Sequence, residues 1–179
     1  YTLYARASWL FEKERTKDAV EELEVAYALW PKPLPTMHRP TLIATALKNY
    51  THVLNGPPWE RVHKVETAHY IVLTDISKER AKFFADHLEW IHSYYRRTFT
   101  VRSGRKARAL FFSTREGYNQ YAELTANARV EWTAGVYYPD YDQLLVFEGK
   151  DSQYEDDEYI LQVVYHEGFH QFISRVVKD

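Results

Sequence analysis

Two hydrophobic rhythms divide this chain. Over residues 1–60 apolar positions return every three or four residues, the spacing of amphipathic helices. Tyr4, Ala7, Leu10 and Phe11 form a first stripe, followed by a polar break from Glu12 to Asp18. Ala19, Val20, Leu23, Ala26, Tyr27 and Trp30 form a second, stopped by Pro31. Pro31-Lys32-Pro33-Leu34-Pro35 reads as a stiff connector. A third helix is predicted from Pro40 to Leu54, with Pro40 in its first turn. Asn55-Gly56-Pro57-Pro58 ends it and marks a boundary.

From residue 66 the rhythm changes to strand–helix alternation over residues 66–179. His69–Thr74 is β-branched and apolar, a buried strand. Asp75 and Ser77 offer caps for a long helix striped by Ala81, Phe84, Ala85, Leu88, Ile91 and Tyr95. Ser103-Gly104 reads as a turn, and Ala107–Phe112 as a second strand. Ser113-Thr114-Arg115-Glu116 fits a capping box that opens a helix to about Leu124. Ala134–Tyr138 and Gln143–Phe147 are predicted to form a hairpin around the turn Pro139-Asp140-Tyr141-Asp142. A final helix follows an acidic stretch. The fold class is α+β: a helical segment, then a mixed sheet with an antiparallel edge hairpin and a C-terminal helix.

Composition narrows the function classes. The 23 basic and 25 acidic residues nearly balance, with no basic stripe, so a nucleic-acid partner is not expected. With no cysteine there is neither a disulfide nor a thiolate metal site. No apolar run reaches the roughly 18 residues of a membrane span, and no signal peptide is visible. The chain opens on Tyr1 rather than Met, which reads as a processed or trimmed piece. The 15 Tyr, 9 Phe and 5 Trp are expected in the core or lining a cleft. The carboxylates Asp151, Glu155, Asp156, Asp157 and Glu158 admit a calcium site, but no EF-type spacing accompanies them. Acidic residues at a helix start, complementing its dipole, are the preferred reading.

The chemistry concentrates in Val163-Val164-Tyr165-His166-Glu167-Gly168-Phe169-His170-Gln171-Phe172. Two imidazoles four residues apart lie on one helix face, near enough to share a Zn²⁺ ion at about 2.0–2.1 Å each. Glu167 stands beside them as a general base for an activated water. Val163, Val164 and Phe172 make the helix read as buried and the site as partly dry. The competing reading is a core helix whose two histidines are satisfied by hydrogen bonds.

This motif, with the order of strands and helices before it, resembles the N-terminal half of a zincin metallopeptidase. The gluzincin branch, in thermolysin-like or peptidase-MA-like form, is the nearest likeness. A bacterial family carrying "His-Glu-Gly-x-His-Gln-Phe" after an "Ala-Gly-x-Tyr-Tyr" strand is similar. The resemblance implies that His166 and His170 are zinc ligands and Glu167 the general base and proton shuttle. It also implies that Ala134, Gly135, Val136, Tyr137 and Tyr138 form the edge strand over a cleft, pairing with the backbone of a peptide or protein substrate. Tyr137 and Tyr138 are expected on opposite faces of the sheet, one of them a candidate subsite residue. The first two helices resemble a tetratricopeptide repeat, which makes a protein partner conceivable there; two plain packed helices explain the pattern equally well.

Zinc needs a third protein ligand. Ile173 and Val176 stand where a metzincin would have Gly and His, which excludes that branch. A gluzincin takes a Glu from a helix tens of residues downstream. If the helix runs to the end, Asp179 sits about 13 Å along the axis from His170 and is out of reach. His38, His52, His63, His69, His87 and His92 read as structural or surface residues. The expectation is therefore a zinc-dependent hydrolase, most simply a peptidase, in a fragment that lacks its third ligand and is inactive as it stands. The alternative is a non-catalytic binding or scaffold module with a degenerate zincin-like domain.

Overall fold

A computed structural model describes residues 2–13, 15–29, 39–99, 106–126, 130–149 and 157–177. The expected Pro-rich connector, the Ser103-Gly104 turn, most of the acidic stretch, His38 and Asp179 lie outside the described residues. The protein is mixed α+β, with six helices and one five-stranded sheet among the described residues. It divides into two compact units, Tyr1–Pro58 with Leu124–Asn127, and Trp59–Glu123 with Ala128–Asp179.

The first unit contains α1 (Thr2–Glu12), α2 (Thr16–Leu29) and α3 (Arg39–Asn55). The stripes bury Ala7, Leu10, Phe11, Ala19, Val20, Leu23 and Ala26, with Ile43 and Val53 from α3. Phe11 stacks on Tyr50 at 4.2 Å between centroids. Gly56, at φ 71°, donates its N–H to the His52 carbonyl, a left-handed helix stop that glycine adopts without steric cost. Tyr27, read as part of the apolar stripe, is instead 54% exposed.

The second unit holds β1 (His63–Glu66), β2 (Tyr70–Thr74), α4 (Lys78–Tyr95), β3 (Ala107–Phe112), most of α5 (Arg115–Ala126), β4 (Gly135–Tyr138), β5 (Gln143–Phe147) and α6 (Asp157–Val177). The strand order is β1-β2-β3-β5-β4. The central strands β2, β3 and β5 are parallel, while β1 and β4 run antiparallel at the two edges. Strand β1 had no sequence signal: its four residues alternate half-buried and exposed, with Val65 its one aliphatic side chain.

Each face of the sheet carries its own core. On one, α4 and α6 pack Ala81, Phe84, Leu88, Ile160 and Val164 against Val72, Ala109, Phe111, Leu144 and Val146. On the other, Tyr118, Tyr121 and Ala122 of α5 cover Leu110, Phe112, Leu145 and Phe147. Ser77 caps α4 by accepting the Arg80 N–H at 3.1 Å. The cap of α5 sits one residue later than the capping box implied. Thr114 Oγ1 accepts the Gly117 N–H at 3.2 Å, because Ser113 is drawn to Asp75 through both its N–H (2.8 Å) and its hydroxyl (2.6 Å). Arg80 of α4 pairs with Glu148, just beyond β5, and with Asp157 at the start of α6.

Candidate metal centre

Helix α6 buries Ile160, Val164, Gly168, Gln171 and Phe172 against the sheet and α4. At 100° per residue, positions 166 and 170 fall on the opposite side. His166 and His170 accordingly face solvent, the His166 side chain being 71% exposed. The expected partly dry site is thus overturned for the imidazoles. Of the apolar residues beside them, Val164 and Phe172 are buried on the opposite face of the helix, and Val163 is half-buried against Gly135 of β4.

The two rings nevertheless converge. Their Nε2 atoms are 3.2 Å apart, with ring planes at 83°. Two nitrogens each about 2.0–2.1 Å from one tetrahedral zinc ion would stand about 3.3 Å apart. The pair therefore fits two positions of a zinc ion with little rearrangement. Among the described residues no group of three or more His, Asp, Glu or Cys side chains is gathered as it would be around a metal.

Glu167 points from α6 toward the sheet edge and is largely buried, its side chain 18% exposed. Its Oε2 accepts the Tyr137 N–H at 3.0 Å, and its Oε1 lies 3.9 Å from His166 Nε2. The carboxylate therefore spans the gap between the edge strand and the imidazole pair.

Gly135 allows this closeness. A Cβ there would overlap Val163 Cγ1 and lie 3.3 Å from Glu167 Cγ, so only glycine lets α6 ride this near β4. The Phe147 N–H donates to the Ala134 carbonyl at 2.7 Å. With this register, Ala134, Val136 and Tyr138 direct their backbone groups to β5, and Gly135 and Tyr137 direct theirs outward. Thr133 Oγ1 meets both outward groups of Gly135, and Glu167 takes the N–H of Tyr137. The Tyr137 carbonyl is the outward group left without a hydrogen-bond partner among the described residues.

Tyr137 and Tyr138 do part to opposite faces. Tyr138 packs with Val136 on the α5 side. Tyr137 turns to α6, where its hydroxyl lies 2.6 Å from Ser174 Oγ and donates to Asp142 Oδ1 at 3.3 Å. Burial, with the Asp142 charge adding, pushes this phenol up to about 12, so it keeps its proton at neutral pH.

Sequence reading missed the residues that fasten this corner. Asp142, at φ 49°, closes the β4–β5 turn. Its carboxylate pairs with Arg175, and its carbonyl accepts the buried Gln171 amide at 3.1 Å. The same amide reaches the Arg108 carbonyl at 3.0 Å. The one advance signal was the Pro-Asp-Tyr-Asp turn, since aspartate tolerates the left-handed region better than most residues.

Three other histidines of this unit have other duties. His69 Nδ1 is 2.7 Å from Glu89 Oε2, and its ring stacks on that of His92 at 4.0 Å between centroids. His87 Nδ1 meets the Tyr165 hydroxyl at 2.6 Å. His92 is 4% exposed, and burial, reinforced by the neighbouring His69, lowers its pKa to about 4. None of the described helices is long and apolar enough to cross a membrane. No protein-family model matches the chain, and no curated protein matches it.

Proposed function

We propose that this chain carries two ligands and the general base of a zinc-dependent hydrolase centre, most simply a peptidase of the zincin class. The observation that carries the reading is the 3.2 Å separation of the His166 and His170 Nε2 atoms, with the Glu167 carboxylate fixed alongside. His166 and His170 would hold the ion through these nitrogens. A bound zinc ion would polarise a scissile carbonyl and make a water molecule acidic enough to attack near neutral pH.

Glu167 would take the proton of the attacking water on Oε1, the oxygen that faces His166, while the Tyr137 N–H keeps Oε2 turned to the strand. The outward Tyr137 carbonyl would accept an N–H from an extended peptide laid along β4. The third ligand is proposed to come from outside the described residues, and turnover is expected once it is supplied.

The test is calorimetric titration of the chain with Zn²⁺. One ion per chain is expected, with affinity falling at least about tenfold in His166→Ala and His170→Ala and holding in Glu167→Gln. Zinc binding that is absent, or indifferent to both histidines, would refute the reading. In a polypeptide that contains the third ligand, Glu167→Gln should abolish turnover with zinc still bound.

A second reading, a binding module with a degenerate zincin-like domain, draws support from the helical unit. There Trp9 and Leu29 are 52% and 71% exposed, apolar surface suited to a protein partner.

A further inference from the structure

Glu167 is one link in a chain of contacts that runs to the far end of α6, and a single residue makes both end contacts. Tyr137 touches α6 twice. Its backbone N–H meets Glu167, and its hydroxyl meets Ser174, seven residues further along the helix. Seven residues are close to two full turns, so positions 167 and 174 share one helix face about 10.5 Å apart. Tyr137 bridges that interval together with the Glu167 and Ser174 side chains that reach to its two ends.

We infer that Tyr137 is a positioning residue for Glu167, its phenol, anchored on Ser174, setting the height at which its amide meets the carboxylate. The inference rests on the reading of Glu167 as the general base.

Three features favour this over simple packing. The Ser174 hydroxyl, 2.6 Å from the Tyr137 phenol, also reaches the Gln171 carbonyl at 3.0 Å, which ties the phenol contact to the helix backbone. Next, the other neighbour of the phenol, Asp142, is itself held by Arg175 and Gln171 of α6. Strand turn and helix thus grip the same hydroxyl, and a slide of β4 along α6 would break several bonds together. Finally, the Tyr137 amide lies on the outer edge of a four-residue strand. An N–H there would normally face water. Here a carboxylate covers it, which requires the strand to stay in place along the helix axis.

Residue-resolved amide hydrogen exchange on the full chain tests the inference, using Tyr137→Phe, Ser174→Ala and Glu167→Ala. In the parent chain the residue-137 amide should be protected despite its edge position. Glu167→Ala should accelerate its exchange about tenfold, the scale of one charge-assisted hydrogen bond. Tyr137→Phe and Ser174→Ala should each accelerate the same amide about tenfold, while the Leu145 amide, on the inner rung, changes less than about twofold. Neither should add acceleration in the Glu167→Ala background, because the bond they align is already gone.

Unchanged residue-137 exchange in both hydroxyl variants would overturn the inference. So would a uniform acceleration of β4 and β5 in both, which is the signature of plain packing. Ser174→Ala reaches the same bond from the helix side should Tyr137→Phe fold poorly. Zn²⁺ titration of Tyr137→Phe separates the two claims. Zinc binding equal to the parent is expected, whereas a parent chain that binds no zinc sinks the hydrolase reading and leaves the exchange result to be judged alone.

Discussion

Acidification should weaken this fold through one buried imidazole. His92 lies under the stacked ring of His69, with the Tyr70 hydroxyl 3.4 Å from its Nδ1 and Phe172 edge-on at 5.2 Å. The charges that reach it are those of His69, Glu89, Arg96 and Arg175. Burial is the largest cause of its low proton affinity, the charge on His69 adds to it, and Glu89 opposes both. The folded-state pKa falls from the ordinary 6.5 to about 4. Between those values the unfolded chain holds a proton at this position that the folded chain refuses. Stability therefore rises with pH through the window and drains away as pH drops from 6.5 toward 4. A gap of about 2.5 units at about 1.36 kcal/mol each corresponds to about 3 kcal/mol, much of the stability of an ordinary domain. The measurement is urea denaturation of the parent chain and His92→Phe at steps from pH 7.5 to pH 4. Taking the difference between the two cancels the carboxylates that also titrate. The parent should lose about 3 kcal/mol relative to the variant by pH 4. A difference that stays flat within about 1 kcal/mol would show that His92 keeps its proton when folded, and the desolvation argument would be wrong.

Two glycines of the site should respond in opposite directions. Gly135→Ala should cost about 1–3 kcal/mol in denaturation, since the added methyl overlaps Val163 and a β-branched helix residue has little rotamer freedom to yield; an unchanged midpoint would refute the close fit. Gly168→Ala should be neutral or stabilise α6 by up to about 1 kcal/mol. Its Cβ would meet Leu88 Cδ2 at an ordinary 3.6 Å, and alanine is the better helix former. A clear loss would mean the helix sits closer to α4 than described.

The hydrophobic pattern announced most of the sheet. Strands β2, β3 and β5 are dense apolar runs because both of their faces are covered, and α4 carries an unbroken stripe from Ala81 to Ile91. Strand β1 stayed hidden, since an edge strand with two exposed residues in four has no such run. The outward turn of the histidines was hidden for a different reason. The stripe that decides it passes through Gly168, which has no side chain to mark the buried face, while Val163 and Phe169 suggest burial on every side. The bonds of Tyr137 to Glu167 and Ser174 depend on how far α6 slides along β4. That is a matter of tertiary register with no local signature in either segment.

The placement of the two imidazoles on the outside of α6 separates the zinc-binding role proposed for them from what keeps the domain folded. Neither ring fills space in the interior, so substitutions at both positions leave the hydrophobic stripe of the helix untouched. Descendants of this sequence can shed or regain the proposed metal pair by drift without crossing an unfolding threshold. Engineers, likewise, can exchange those two side chains for other ligating groups and keep the scaffold as it stands.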